Sequence, residues 1–188
     1  MNSNQIEMFE QVRSMQIELT KAYKEYWKLH SGFDAWQFWF NLALLIIPLI
    51  VLYFKIDKKR AFLLGFYGFN IHVWITYIDS IGIRHGFWGY PHQILVEVSS
   101  NLGLDASLVP VSFMLMYQWT LKHNKNYYLY AILLAAVFSF ICKPIFIAIG
   151  LLRLYEGTLF YMFFLYIVVL LFSKFITNVF IMLRKKAE

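Results

Sequence analysis

Hydrophobic residues along this chain collect into five long runs, Trp36–Phe54, Ala61–Ile78, Ala106–Leu121, Tyr127–Leu152 and Leu159–Leu183, separated by polar stretches. A helix needs about 20 mostly apolar residues to cross the hydrocarbon of a bilayer, with roughly 17–25 as the working range. The first two and last two runs meet that length, and the third meets it only if Leu102–Asp105 extends it. No period-two alternation points to a barrel, and in lipid each segment must satisfy its own backbone hydrogen bonds, so the spans are expected to be helices. The expected fold is an all-α integral membrane protein, with an N-terminal amphipathic helix over residues 1–33 and a five-helix transmembrane bundle over residues 34–188.

The N-terminal stretch follows a different rhythm. Met8, Val12, Met15, Leu19, Ala22, Tyr26 and Leu29 recur at spacings of four and three, which draws one apolar stripe on a helix. Asn4 with Glu7 resembles a capping box, and Ser31-Gly32 marks the stop. Such a helix can lie on the membrane surface or on the bundle. Its heptad-like spacing also allows a coiled coil, and hence a homo-oligomer. Within the spans, Pro48 and Pro144 are expected to kink their helices, and Gly65 with Gly68 to admit a close neighbour.

Composition supports the membrane reading. The chain of 188 residues is 60% hydrophobic and 20% aromatic, against about 45–50% apolar for a soluble domain. The first thirty or so residues are polar, so no cleavable signal peptide is expected. The net charge of +6 is distributed unevenly. Lys55, Lys58, Lys59 and Arg60 follow the first run, Lys122 and Lys125 the third, and Arg184, Lys185 and Lys186 the fifth. The second and fourth connections hold only Arg84 and Arg153. Basic residues on alternate sides follow the positive-inside pattern. The C-terminus is therefore expected in the cytoplasm and the N-terminus outside, although Arg13, Lys21, Lys24 and Lys28 then also lie outside. The basic runs interleave with no stacking platform, so nucleic acid is not an expected partner. The lipid bilayer is.

An ionisable group inside a membrane costs at least about 2.5–3.5 kcal/mol on insertion scales, so each needs a reason. His72, Thr76 and Asp79 share one face of the second helix at i, i+4 and i+7. Asp105 opens the third span, and Lys143 lies beside Pro144 in the fourth. The connection after Asp79 adds Arg84, His85, Trp88 and Tyr90. On the expected topology these groups meet at similar depth on the outer side. Pairing Lys143 with Asp79 or Asp105 would make a structural brace. The same groups would otherwise form a polar pocket for a ligand, an ion or a proton.

Specific chemistry is not written in the motifs. There is no H-E-x-x-H, phosphate-binding glycine loop, G-x-S-x-G or paired C-x-x-C. His72, His85 and His92 match no metal spacing, so neither a metal nor a cofactor is expected. The single Cys142 has no internal disulfide partner.

One resemblance stands out. Tyr77-Ile78-Asp79 through Gly86-Phe87-Trp88-Gly89-Tyr90-Pro91, then Val109-Pro110-Val111 and Met114-Leu115-Met116-Tyr117-Gln118, resembles an uncharacterised family of small multipass membrane proteins of spore-forming Gram-positive bacteria, the Bacillus and Clostridium type. The likeness runs from about Trp36 to the C-terminus. It implies a bacterial plasma membrane and no particular activity, and it singles out Asp79, Gly86, Trp88, Tyr90, Pro91, Pro110, Tyr117 and Gln118. Trp88 and Tyr90 are expected at the outer interface with their polar tips among the headgroups, either as a cap over the pocket or as plain anchors.

The leading functional expectation is binding, sensing or passage of a small polar or lipid-derived molecule at the outer cluster, with Asp79 as main contact and Lys143 as counter-charge. A membrane enzyme acting on a lipid-linked substrate, with Asp79 or His85 as the acid-base group, is the alternative. A structural or assembly subunit is the third.

Overall fold

The computed structural model describes residues 2–98 and 100–187. Helix α1, Ser3–His30, is capped by Asn2, whose Oδ1 accepts from the Gln5 amide at 2.8 Å. The cap thus lies two residues before the Asn4 expected from the sequence. It ends at Ser31, where the stop was read. No residue of α1 is buried. It is tied down near its end by Trp27 Nε1 donating to the Gln93 carbonyl, Ser31 Oγ donating to the Pro91 carbonyl, and a Lys24–Glu97 ion pair at 3.2 Å.

Four helical stretches are long and apolar enough to cross a membrane: Trp36–Lys55, Lys58–Arg84, Tyr127–Ala148 and Leu159–Lys186. They contain α2 (Trp36–Lys55), α3 (Ala61–Arg84), α5 (Tyr127–Val137) with α6 (Lys143–Ala148), and α7 (Leu159–Ala187). The remaining helix, α4, begins as a π-helical turn at Gly103–Leu108 and continues over Val109–Lys122. It is less apolar because it lies in the middle. Val109, Phe113, Met114 and Tyr117 of α4 are buried in one core with Leu64, Tyr67, Ile71 and Ile75 of α3.

Helices α2 and α4 run side by side in the same direction. At one end Asn101 Nδ2 donates to Asn41 Oδ1 at 3.0 Å; at the other, Gln118 Nε2 donates to the Lys55 carbonyl at 2.9 Å, while its Oε1 accepts from the Asp57 amide. The six π-helical and fourteen α-helical residues of α4 therefore match the twenty of α2. Close approach of α3 to α4 depends on Gly68, where a Cβ would come within 2.2 Å of Met114 Sδ.

Two wide turns interrupt the helices. The Val109 amide reaches back to the Leu104 carbonyl and the Lys143 amide to the Phe138 carbonyl, both i→i−5 bonds, and each turn is followed by a proline, Pro110 or Pro144. A proline cannot donate to the preceding turn, and the π turns stand in front of both. At the end opposite the basic residues, Trp88–Gly89 (β1) pairs antiparallel with Arg153–Leu154 (β2), joining two distant loops into one short ribbon.

Candidate functional site

Asp105 belongs to the first π turn and Lys143 directly follows the second, so each wide turn delivers an ionisable group to the same place. π turns within α-helices are frequent at functional sites. Asp79, from α3, completes the set. All three are buried, and they line one cavity of about 40 Å³ with Trp88, Tyr90 and Tyr166. A water needs about 10–15 Å³ of such space, so the cavity suits water-sized species and is too small for a lipid headgroup.

The contacts inside are specific. Trp88 Nε1 donates to Asp79 Oδ1 at 2.7 Å, and Tyr90 Oη donates to the same oxygen at 3.0 Å. Asp79 and Asp105 lie close enough to interact electrostatically. Asp79 Oδ2 and Asp105 Oδ2 are buried and receive no hydrogen-bond donor among the described residues. Lys143 interacts electrostatically with both acids and stands 5.6 Å from the Tyr166 ring centroid, but forms no ion pair at 4.0 Å or less among the described residues. Its pairing with either acid is therefore longer than a direct ion pair.

Trp88 and Tyr90 also differ from expectation. Their polar tips point inward to Asp79, and they are only 3% and 7% exposed, which removes them from the headgroup layer. Gly82 makes this possible: a Cβ there would lie 2.0 Å from Trp88 Cζ2. Burial pushes the Tyr90 phenol well above its ordinary pKa, and Asp79 beside it adds to the effect. Tyr90 is therefore a neutral O–H donor at ordinary pH.

The other expected residues divide. His72 stays beside the cluster, its Nδ1 2.8 Å from the Asp105 carbonyl oxygen. Because a carbonyl only accepts, Nδ1 carries the proton in this contact. Thr76 Oγ1 is 3.4 Å from that nitrogen. Arg84 and His85 lie apart, in an open cleft of about 840 Å³ between α1 and the end of α3, where His85 stacks on Phe87 at 5.6 Å. The structure does not bring them to the acids. No group of three or more metal-ligating residues occurs among the described residues.

Several important residues escaped the sequence reading. Tyr166 resembles a lipid-facing aromatic within its apolar run. Asn41 and Asn101 bond to each other across 60 positions, and Asn101 Oδ1 accepts from the Leu104 amide, fixing the start of the first π turn. Deeper in the bundle, Lys174 Nζ donates to Tyr117 Oη and stands over the Tyr117 and Tyr127 rings, and Tyr67 Oη bonds Tyr127 Oη at 2.6 Å. Of this second polar group the sequence marks Lys174, with Ser173 and Asn178, in the inner part of the last apolar run, where snorkelling is the expected role; the tyrosines that meet it carry no signal of their own.

Comparison with protein-family models, with curated proteins and with solved structures gives no match. The functional reading therefore rests on the site.

Proposed function

We propose that this chain is a five-span plasma-membrane protein of the bacterial family it resembles, and that its buried polar cluster binds and senses a small polar species from the outer side. Charge counting carries this reading. Two carboxylates and one ammonium leave one negative charge uncompensated in a low-dielectric interior, where an unpaired charge is strongly disfavoured. A proton shared between Asp79 and Asp105 neutralises the site, and the two Oδ2 atoms without donors offer the place for it. The cavity volume limits the alternatives to ions of water size. In this reading the ribbon end, whose inter-helix connections carry only Arg84 and Arg153 among Lys and Arg, faces outside.

The five-span count rests on α4, which runs alongside α2 from the Asn41–Asn101 contact to the Lys55–Gln118 contact. A helix flanking a spanning helix over its whole length covers the same thickness. An odd number of spans puts the termini on opposite sides, with the basic C-terminus cytoplasmic.

The test follows the carboxyl C=O stretch of the full-length protein in lipid nanodiscs by infrared spectroscopy at neutral pH. The reading requires a band from a buried protonated carboxyl that shifts in heavy water and is lost in Asp79→Asn. A spectrum without such a band contradicts it.

A structural role has one observation in its favour. Met8, Val12, Met15 and Leu19 on α1 are all more than half exposed, so this part of the apolar stripe is uncovered by the other described residues. The membrane surface or a second copy would cover it. Deleting residues 1–30 and finding an unchanged oligomeric state in nanodiscs excludes the second copy.

A further inference from the structure

The acid cavity has a neighbour. Beneath α1 and beside the ribbon lies a chamber of about 290 Å³, lined by Tyr23, Tyr26, Trp27, Tyr90, Arg153 and Tyr155 among others. Tyr90 lines both this chamber and the acid cavity. It is the residue common to both, with its hydroxyl held by the hydrogen bond to Asp79 Oδ1 at 3.0 Å. Gly89 and Pro91, on either side of Tyr90, line the chamber.

In the opposite direction aromatic and aliphatic side chains pack beyond the acids. Phe113, Phe138 and Tyr166 are in mutual contact, with ring centroids 5.8, 6.1 and 6.5 Å apart. Ile71, Val169 and Leu170 pack in the same core. Only beyond this apolar layer does the Tyr67–Tyr117–Tyr127–Lys174 group begin. This apolar layer separates the two polar groups, while the chamber under α1 shares Tyr90 with the acid cavity.

We propose that the acid pair exchanges its proton with the outer aqueous phase alone, through the chamber under α1, and that Tyr90 is the gate. This rests on the reading of the cluster as a proton-binding site. The species taken up is a proton delivered by water; when the Tyr90 ring swings aside, water reaches Asp79, the carboxyl O–H bond breaks or forms, and hydronium leaves or arrives. The latch is sensitive to its own cargo. A hydrogen bond to an ionised carboxylate is stronger than one to a neutral acid, so the gate closes on an ionised Asp79 and loosens on a protonated one. The groups facing Asp79 are Trp88 and Tyr90 from the loop, Asp105 from α4, Lys143 from α6 and Tyr166 from α7. His72, on its own helix, bonds the Asp105 carbonyl instead. This gate makes the site a sensor of outer-side acidity rather than a passage.

Infrared spectroscopy of the full chain in nanodiscs tests the gate, by following the exchange of the buried carboxyl proton for deuterium after transfer to heavy water. Tyr90→Ala removes the ring, and Tyr90→Phe keeps the ring but loses the latch. Both are expected to speed exchange, roughly tenfold or more, the factor set by losing one hydrogen bond to a charged group. A plug works in the other direction. Gly89→Cys in a Cys142→Ala background places a thiol on the chamber wall, and labelling it with a bulky maleimide is expected to slow exchange. The same label on Lys122→Cys, at the far end of α4, leaves the rate alone. Exchange unchanged by both Tyr90→Ala and the Gly89→Cys plug overturns the gate. A wild-type protein with no buried protonated carboxyl overturns the proton-binding reading itself, and the two failures are thus separate.

Discussion

The indole Nε1 of Trp88 donates to Asp79 Oδ1 at 2.7 Å, so a loop residue reaches back nine positions to hold an acid of the helix before it. This contact converts the glycine- and aromatic-rich turn from a surface feature into a wall of the site. Trp88→Phe removes the donor while keeping an aromatic ring. It is expected to cost about 1–3 kcal/mol, the penalty for leaving a buried polar group short of a partner. Gly82→Ala is expected to cost about 1–3 kcal/mol by overpacking, because its Cβ would lie 2.0 Å from the Trp88 ring. Unfolding in mixed micelles measures both.

Gly103 opens the π turn in contact with α2, where a Cβ would lie 2.7 Å from the Asn41 carbonyl oxygen. Backbone cannot give way as a side-chain tip can. Gly103→Ala is expected to destabilise by about 1–3 kcal/mol and to increase amide exchange at residues 101–108. Gly65→Ala on α3 meets nothing within 4 Å and serves as the neutral control.

The charge count predicts an asymmetry among three variants. Asp79→Asn leaves Asp105 and Lys143, which balance. Lys143→Met leaves two acids with no cation, and is expected to cost about 3–5 kcal/mol, as when one partner of a buried pair is removed. Adding Asp79→Asn to Lys143→Met recovers part of that loss. Folded yield and micelle unfolding of the three proteins check the order. Equal losses for the two single variants contradict it.

His92 supplies a pH dependence outside the spans. Burial holds its imidazole below the ordinary histidine pKa, while its carbonyl accepts from Asn41 Nδ2 at 2.9 Å. The open loop therefore binds more protons than the closed one as pH falls through about 6.5, and lost stability follows the protons. The loop keeps its full stability above that pH and loosens below it. Hydrogen–deuterium exchange over residues 91–98 is expected to rise on acidification, and to rise less in His92→Gln.

Much of this architecture was legible because lipid imposes simple rules. The apolar runs give the helices, and the depth of Asp79, Asp105 and Lys143 follows from counting turns along antiparallel neighbours. Direction was harder. An aromatic turn beside a membrane reads as an anchor, and only the ribbon pairing Trp88 with Leu154, from loops far apart in sequence, turns the indole inward. Tyr166 and Phe113 were hidden for a related reason, since in an apolar run a ring facing lipid and a ring facing a cavity have the same signature. Arg84 and His85 show the converse limit. They adjoin Asp79 in sequence, yet α3 continues to Arg84 and carries them past the acids to the open cleft. The π turns have no sequence signal beyond the prolines that follow them.

The claim that Asp79 and Asp105 share one proton is tested most directly by the infrared carboxyl band of the full chain in nanodiscs at neutral pH. The account predicts one band from a buried protonated carboxyl, absent from both Asp79→Asn and Asp105→Asn, because either remaining acid balances Lys143. No such band in the wild type, or a band that survives both substitutions, contradicts it.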